Sequence, residues 1–489
     1  MGSSPSVAAR PLARALRLRA PLLLLGWVVA ASALQLVRAP GIPAWRVMWA
    51  EDATVFLSQA LDRSFPEALG TTYAGYLHIV PRLIVEPAAL LPLSAAAAVV
   101  AINSAVVVSL LAAYVWVAAR SVFETRRARA LLVALYVLAP QTLIEIGGAA
   151  ANYHWYGMLA SFFAFLHRPA NRREAAAATA VVGFTALSDP MLALLLPLLV
   201  LRPGGLLRSQ LGARAIPAAA LCGLAAQALA VLTSSGPESV SAFSPLDLPA
   251  IYAQRVAGPA VLGDSWFGQL WLSAGWAAAW VALAIVAALA VQAARSGSAV
   301  QRRHALLAAA GSLVLFSVPL AIRGTTEMAP HLGHLFDGGA RYTYSPLVLA
   351  WVPALLLVDR RGVWAARLAT LVVVIVVAST TGTTDRSLGP DWADSLAQAR
   401  QTCVAGSVVD IRVAPLSYPW EAALSCDRIR GLALSSDRGI PARRTAREGL
   451  LMTNQPPILA TLLAAGAIAA AEATPAFGST DKRPATRLL

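Results

Sequence analysis

The residues best suited to chemistry fall in a few short clusters. Glu51 and Asp52 are adjacent carboxylates in Trp-Ala-Glu-Asp-Ala (49–53), shortly after the first long apolar run. A carboxylate at a membrane surface can act as general base towards a hydroxyl or hold a divalent metal. Helical neighbours do not share a face, so only one of the two should meet a site. Asp52 is expected to be the base, with Glu51 as helper or as an acid at a helix start. Tyr73, Tyr76, His78 and Arg82 follow in TTYAGYLHIVPRL, and Glu145, Asn152, Tyr153, His154, Trp155 and Tyr156 in QTLIEIGGAAANYHWY. Aromatic faces beside amide and imidazole groups suit a sugar ring; the competing reading is the aromatic belt of a membrane interface, favoured for Trp155. Arg341 and Tyr342 precede a late apolar run. Arg82 and Arg341 are candidate phosphate partners because a guanidinium matches phosphate with a bidentate fork. Their structural alternatives are an ion pair of Arg82 with Glu86 and snorkelling of Arg341 beside Tyr342. His331, His334 and Asp337 lie three apart and would meet on a helical turn, but no metal site is assigned to them. Asp189 before Pro190 reads as a turn or helix cap.

The elements that must position these residues are membrane spans. The chain has 489 residues, 58% hydrophobic and 13% charged, with mean hydropathy +0.64; about a quarter charged would be usual for a soluble protein. The net charge of +14 does not point to nucleic acid, because the arginines sit in short loops between apolar runs, the positive-inside pattern. Lys482 is the only lysine, and the abundance of Ala and Arg suggests a high-GC bacterial genome.

Residues 1–19 carry Arg10, Arg14, Arg17 and Arg19 and no acid, so the N-terminus is expected in the cytoplasm, and 20–37 leave it as an uncleaved anchor. Residues 38–94 form a long first outer loop, with a short amphipathic helix expected over 56–65. The apolar stretch 78–93 is broken by Pro81, Arg82, Glu86 and Pro87 and reads as re-entrant or interfacial. Alternation from there keeps nearly every arginine cluster inside. The expected fold is all-α and polytopic, with about 11 transmembrane helices in 20–380. Residues 381–429 form a small extracytoplasmic segment with a strand near 408–413, and 430–489 read as a disordered tail. In an oxidising compartment Cys403 and Cys426 would form a disulfide. Cys222, inside an apolar run, reads as a small core residue.

In layout, residues 20–380 resemble the GT-C superfamily of polytopic glycosyltransferases. The resemblance rests on WAEDA in the first outer loop, the interrupted segment GYLHIVPRLIVEPAALL, the second outer loop LAPQTLIEIGGAAANYHWY and the Arg-Tyr pair in GGARYTYSPLVL. It implies inverting transfer of a hexose or pentose from a polyprenyl-phosphate donor to a cell-envelope glycan, lipid or protein on the outer face of a bacterial plasma membrane. Asp52 and Glu51 would be catalytic. Tyr76, His78, Arg82, Glu145, Asn152, His154, Arg341 and Tyr342 would bind substrate. The resemblance names no certain cofactor and leaves open whether a divalent metal is needed. The adjacent acids depart from the family's spaced acid-x-acid form, which leaves open which one is the base. The alternative is a transporter or flippase of a lipid-linked or anionic precursor; that reading calls for ionisable residues in mid-span, and the apolar runs carry almost none.

Overall fold

The structure, a computed structural model, describes residues 9–201, 214–234, 244–323, 339–379 and 384–431. His331, His334, Asp337 and the tail from 432 lie outside the described residues. The chain is mostly helical. Among the described residues five helices are long and apolar enough to cross a membrane: Leu93–Ser121, Ala215–Thr233, Trp276–Ser296, Ala299–Ile322 and Arg341–Arg360. Pro21–Val37, Pro190–Leu201 and Val363–Ala378 are shorter apolar helices. By the length and composition of these helices the protein is membrane-embedded.

The centre of the bundle is the helix Tyr153–Leu166, buried on every side from Trp155 onward. A helix apolar all round belongs in an interior, where it has no wet face to satisfy. It packs against Ala96–Ala118, Arg172–Ala186 and Arg341–Arg361, and the last of these packs most extensively on Ala299–Arg323. Cys222 corrects the sequence reading: it is free and exposed, on the outer side of Ala215–Thr233. In a bilayer an apolar position can face lipid as well as core, so hydrophobicity alone does not bury it.

Charge divides the two ends of the bundle. At one end Arg120 pairs with Glu174 at 2.7 Å, and Asp359 accepts the backbone N–H groups of Glu124 and Thr125 at 2.8 and 2.6 Å. Arg360 donates to Ser296 at 3.0 Å there. The loops that meet here are the arginine-rich ones of the sequence. Glu51, Glu145, Asp189, Asp385, His78, His154 and several aromatic rings gather at the other end.

That other end is built from short, irregular pieces. A π-helical turn, Asp52–Leu57, runs into Ser58–Asp62, and a separate turn of helix covers Phe65–Gly70. The single amphipathic helix expected over 56–65 is therefore broken, and Phe56 and Leu57 are buried rather than interfacial. They are held between Ile79–Ala89 and a small C-terminal sheet. Ile79–Ala89 spans only 11 residues and buries Pro81, Arg82 and Val85; crossing a bilayer would take about 20. A hairpin of β1 (Thr72–Tyr73) and β2 (Tyr76–Leu77) precedes it, turning through Ala74 and Gly75 at φ 51° and 84°. Two successive positive-φ residues make the tight turn that matches strand twist.

The C-terminal segment packs onto the same end. The helix Trp392–Thr402 starts at Asp391, whose carboxylate accepts from Ala393 and Asp394, and β3 (Val408–Arg412) pairs antiparallel with β4 (Glu421–Ser425). A disulfide joins Cys403 to Cys426, with S–S 2.08 Å. A parallel bridge ties this segment to the first loop: Ala50 N–H donates to Ala414 O at 2.6 Å, and Ala414 N–H to Met48 O at 3.1 Å.

Candidate active site

These pieces enclose a cavity of ≈ 320 Å³. The turn before the π-helix supplies Trp49 and Glu51, the hairpin Tyr73 and Tyr76, and the strand end His78. The second loop adds Glu145, Asn152, His154 and Trp155; the start of Arg341–Arg361 adds Arg341 and Tyr342. Nearly every sequence-predicted site residue is thus brought to one space. Of the residues given catalytic or substrate-binding roles, Asp52 and Arg82 are the two that do not line it.

The adjacent acids are split as the helical rule requires, with the phase opposite to the expected one. Glu51 lines the cavity. Asp52 is fully buried, at 0% exposure, and its two carboxylate oxygens accept the N–H groups of Ala150 at 3.0 Å and Ala151 at 2.8 Å. The carboxylate turned inward therefore holds the second loop, while the one turned outward meets the cavity. Burial raises the Asp52 carboxyl to about 7, against lowering by the Ala151 and Ala150 N–H groups and the Arg386 charge; Glu51 raises it further. A carboxyl with a folded pKa above its unfolded value adds stability below the unfolded value and loses it as pH rises through the folded one. Thermal stability in detergent is accordingly expected to fall as pH rises from about 4 through 7, and Asp52→Asn to flatten that slope. A slope unchanged in Asp52→Asn would count against the assignment.

His78 stacks on Tyr76 with ring centroids 4.1 Å apart and touches the rings of Phe56 and Tyr73 at 5.5 and 5.4 Å. Its Nδ1 lies 3.2 Å from Tyr76 O. The hairpin that carries this cluster is fixed by Gln227, a fully buried amide in the otherwise apolar helix Ala215–Thr233. Its Oε1 accepts from Leu77 N–H at 2.9 Å and its Nε2 donates to Leu77 O at 3.0 Å. The amide stands in for a neighbouring strand and satisfies a backbone edge that lipid could not.

Glu145 comes from a π-helical turn, Thr142–Ile146, and draws two parts of the cavity together. Its carboxylate pairs with the Arg341 guanidinium and accepts the Arg341 N–H at 2.9 Å, and its carbonyl receives Asn152 Nδ2 at 3.3 Å. Arg341 also lies over the Tyr342 ring at 4.9 Å, and Tyr342 meets Trp155 edge-on at 5.2 Å. The ion pair of Arg341 was not legible from spacing, since its partner is 196 residues away. Arg82 instead lies over Phe56 at 5.3 Å, and among the described residues its three guanidinium nitrogens have no hydrogen-bond partner, so the alternative bridge to Glu86 is not formed. Asp189 caps the turn after it, accepting from Met191 N–H at 2.8 Å, and also lines the cavity.

Sequence reasoning missed the fourth wall. Asp385, Pro415, Tyr418 and Trp420 from the C-terminal segment line the cavity. The available signal was the aromatic run in APLSYPW, which reads as turn-rich and gives no hint of its partner. Among the described residues no group of three or more His, Cys, Asp or Glu is arranged to hold a metal ion. The arrangement offers carboxylates for proton transfer and hydroxyl binding, aromatic faces for a ring, and a guanidinium for an anion. No protein-family model, curated protein or solved structure matches this chain.

Proposed function

We propose that the protein is a GT-C-like membrane glycosyltransferase that moves a sugar from a polyprenyl-phosphate donor to a cell-envelope glycan, lipid or protein acceptor. The observation that carries this reading is the cavity, in which Glu51 and Arg341 face one space walled by aromatic rings. In this reading the helices make eleven passes: the five long spans, the three shorter apolar helices, and Arg126–Leu138, Tyr153–Leu166 and Arg172–Ala186. The arginine-rich end is cytoplasmic and the cavity faces outward, as the positive-inside rule would have it. The host is a bacterial plasma membrane.

The reaction follows from charge. Glu51 removes the proton from an acceptor hydroxyl as its oxygen attacks the anomeric carbon. The bond from that carbon to the lipid phosphate breaks from the opposite side, and the phosphate leaves with the electron pair. Arg341, oriented by Glu145 and Tyr342, places positive charge where the phosphate gains negative charge. Pro319 and Ile322 of the neighbouring span line the same cavity and offer an apolar flank for the lipid. The tyrosine, tryptophan and histidine rings pack against the sugar, and Asn152 and Asp385 offer hydrogen bonds to its hydroxyls.

The test is release of lipid phosphate by purified protein in detergent, with a panel of polyprenyl-phosphate sugars and envelope glycans. Wild type, Glu51→Gln and Asp52→Asn are compared. Transfer by wild type that is lost in Glu51→Gln supports the reading; no transfer from any donor overturns it and directs attention to transport. Arg341→Met is expected to lower kcat/KM for the donor by about 10- to 100-fold, the worth of a charged hydrogen bond. Steady-state kinetics with varied donor checks this, and an unchanged kcat/KM would remove Arg341 from the phosphate site.

A further inference from the structure

Arg386 lies 334 residues from Asp52, in the first turn of the C-terminal segment, and is buried at 4% exposure. It does not line the cavity. Its Nη2 donates to Gly148 O at 2.8 Å, and its guanidinium lies over the Trp49 ring at 5.5 Å. Gly148 has φ +69°, and a Cβ there would come within 3.3 Å of Arg386 Nη2. Glycine therefore serves both the backbone angle and the approach of the cation. Two and three residues on, Ala150 and Ala151 donate to Asp52. The loop 147–152 is thus gripped by a carboxylate from the first loop and a guanidinium from the last segment. Each of these charges acts on the other. Both grips adjoin cavity-lining groups: Glu51 beside Asp52, Trp49 under Arg386, and Ala151 and Asn152 on the loop itself.

We infer that Arg386 is a positioning residue for the cavity, and that with Asp52 it clamps loop 147–152 so that Glu51, Trp49 and Asn152 keep their orientation. The C-terminal segment is then part of the site's framework and not an appended module. The physical logic is mutual compensation. A buried carboxylate and a buried guanidinium each cost desolvation energy, and each lowers that cost for the other. Among the described residues Nε and Nη1 of Arg386 have no hydrogen-bond partner, so this guanidinium is held by its ring contact and one carbonyl. The consequence for sugar transfer rests on the glycosyltransferase reading; the clamp itself does not.

Hydrogen exchange measured by mass spectrometry on full-length protein in detergent reads the clamp directly, because the Ala150 and Ala151 amides are the groups it holds. In Arg386→Met, peptides covering 147–152 are expected to exchange about 10- to 100-fold faster, the loss of a charge-assisted hydrogen bond. Arg386→Lys, which keeps the charge, should hold exchange near wild type. Asp52→Asn should speed it, and Asp52→Asn with Arg386→Met should add little more, since the two residues act as one unit. Should Arg386→Met fail to fold, the Lys and Asp52→Asn arms carry the test. Wild-type exchange in Asp52→Asn, or in Arg386→Met, overturns the clamp, as do additive effects. The same variants are assayed for transfer. Faster exchange with no transfer by wild type keeps the clamp and sinks the glycosyltransferase reading. Full transfer with unchanged exchange in Arg386→Met does the reverse.

Discussion

Glu51→Gln is expected to reduce sugar transfer by about 10²- to 10⁴-fold, the usual worth of a general base. Donor binding should be little changed, because glutamine keeps the shape and loses only the basic oxygen. Glu51 is the member of the acid pair that lines the cavity, whereas Asp52 has no surface there and both its oxygens are bonded to backbone. The loss should therefore fall on kcat and kcat/KM together, the signature of an interaction made in the transition state. A Glu51→Gln enzyme with wild-type kcat would return the base to another carboxylate, with Asp385 the next to examine.

Asp52→Ala is expected to cost about 2–5 kcal/mol of stability, the penalty for leaving two buried backbone donors without an acceptor. The N–H groups of Ala150 and Ala151 lose their acceptor, and Arg386 loses a favourable neighbouring carboxyl. Asp52→Asn should cost less, since one oxygen still accepts. Thermal and denaturant unfolding in detergent separate this from Glu51→Gln, which should unfold like wild type. If the two alanine variants at 51 and 52 unfold alike, the structural role assigned to Asp52 is wrong. The pair thus divides the labour: one acid meets substrate, its neighbour builds the loop that substrate meets.

Much of the architecture is readable without coordinates, because its cause is local. Apolar runs mark helices, and arginines between them mark one end of the bundle, where the Arg120–Glu174 and Asp359 contacts now tie the loops together. The clustered motifs also declare themselves, since Tyr76, His78, Glu145, Asn152, His154, Arg341 and Tyr342 all reach the cavity. What stays illegible is phase and partnership. Whether Glu51 or Asp52 points inward depends on a π-helical turn, and π turns leave no pattern in sequence. Arg82 stands in a motif and is buried behind Phe56, away from the cavity. Arg386 looks like any surface arginine in a short polar stretch; only the long-range fold sets it under Trp49. Cys222 shows the same limit for burial, because lipid and protein interior ask for the same kind of side chain.

The bridge between Ala414 and the Met48–Ala50 turn has a consequence for how the protein comes into being. The cavity takes its first wall from Trp49 and its last from Trp420, so it is completed only when the end of the described chain has been synthesised and returned to its beginning. A nascent chain, or one truncated before residue 414, carries Glu51 and Arg341 but has no enclosed space between them. Maturation is thereby written into the order of synthesis: the membrane helices can be inserted one by one, and the site stays unassembled until the final segment docks.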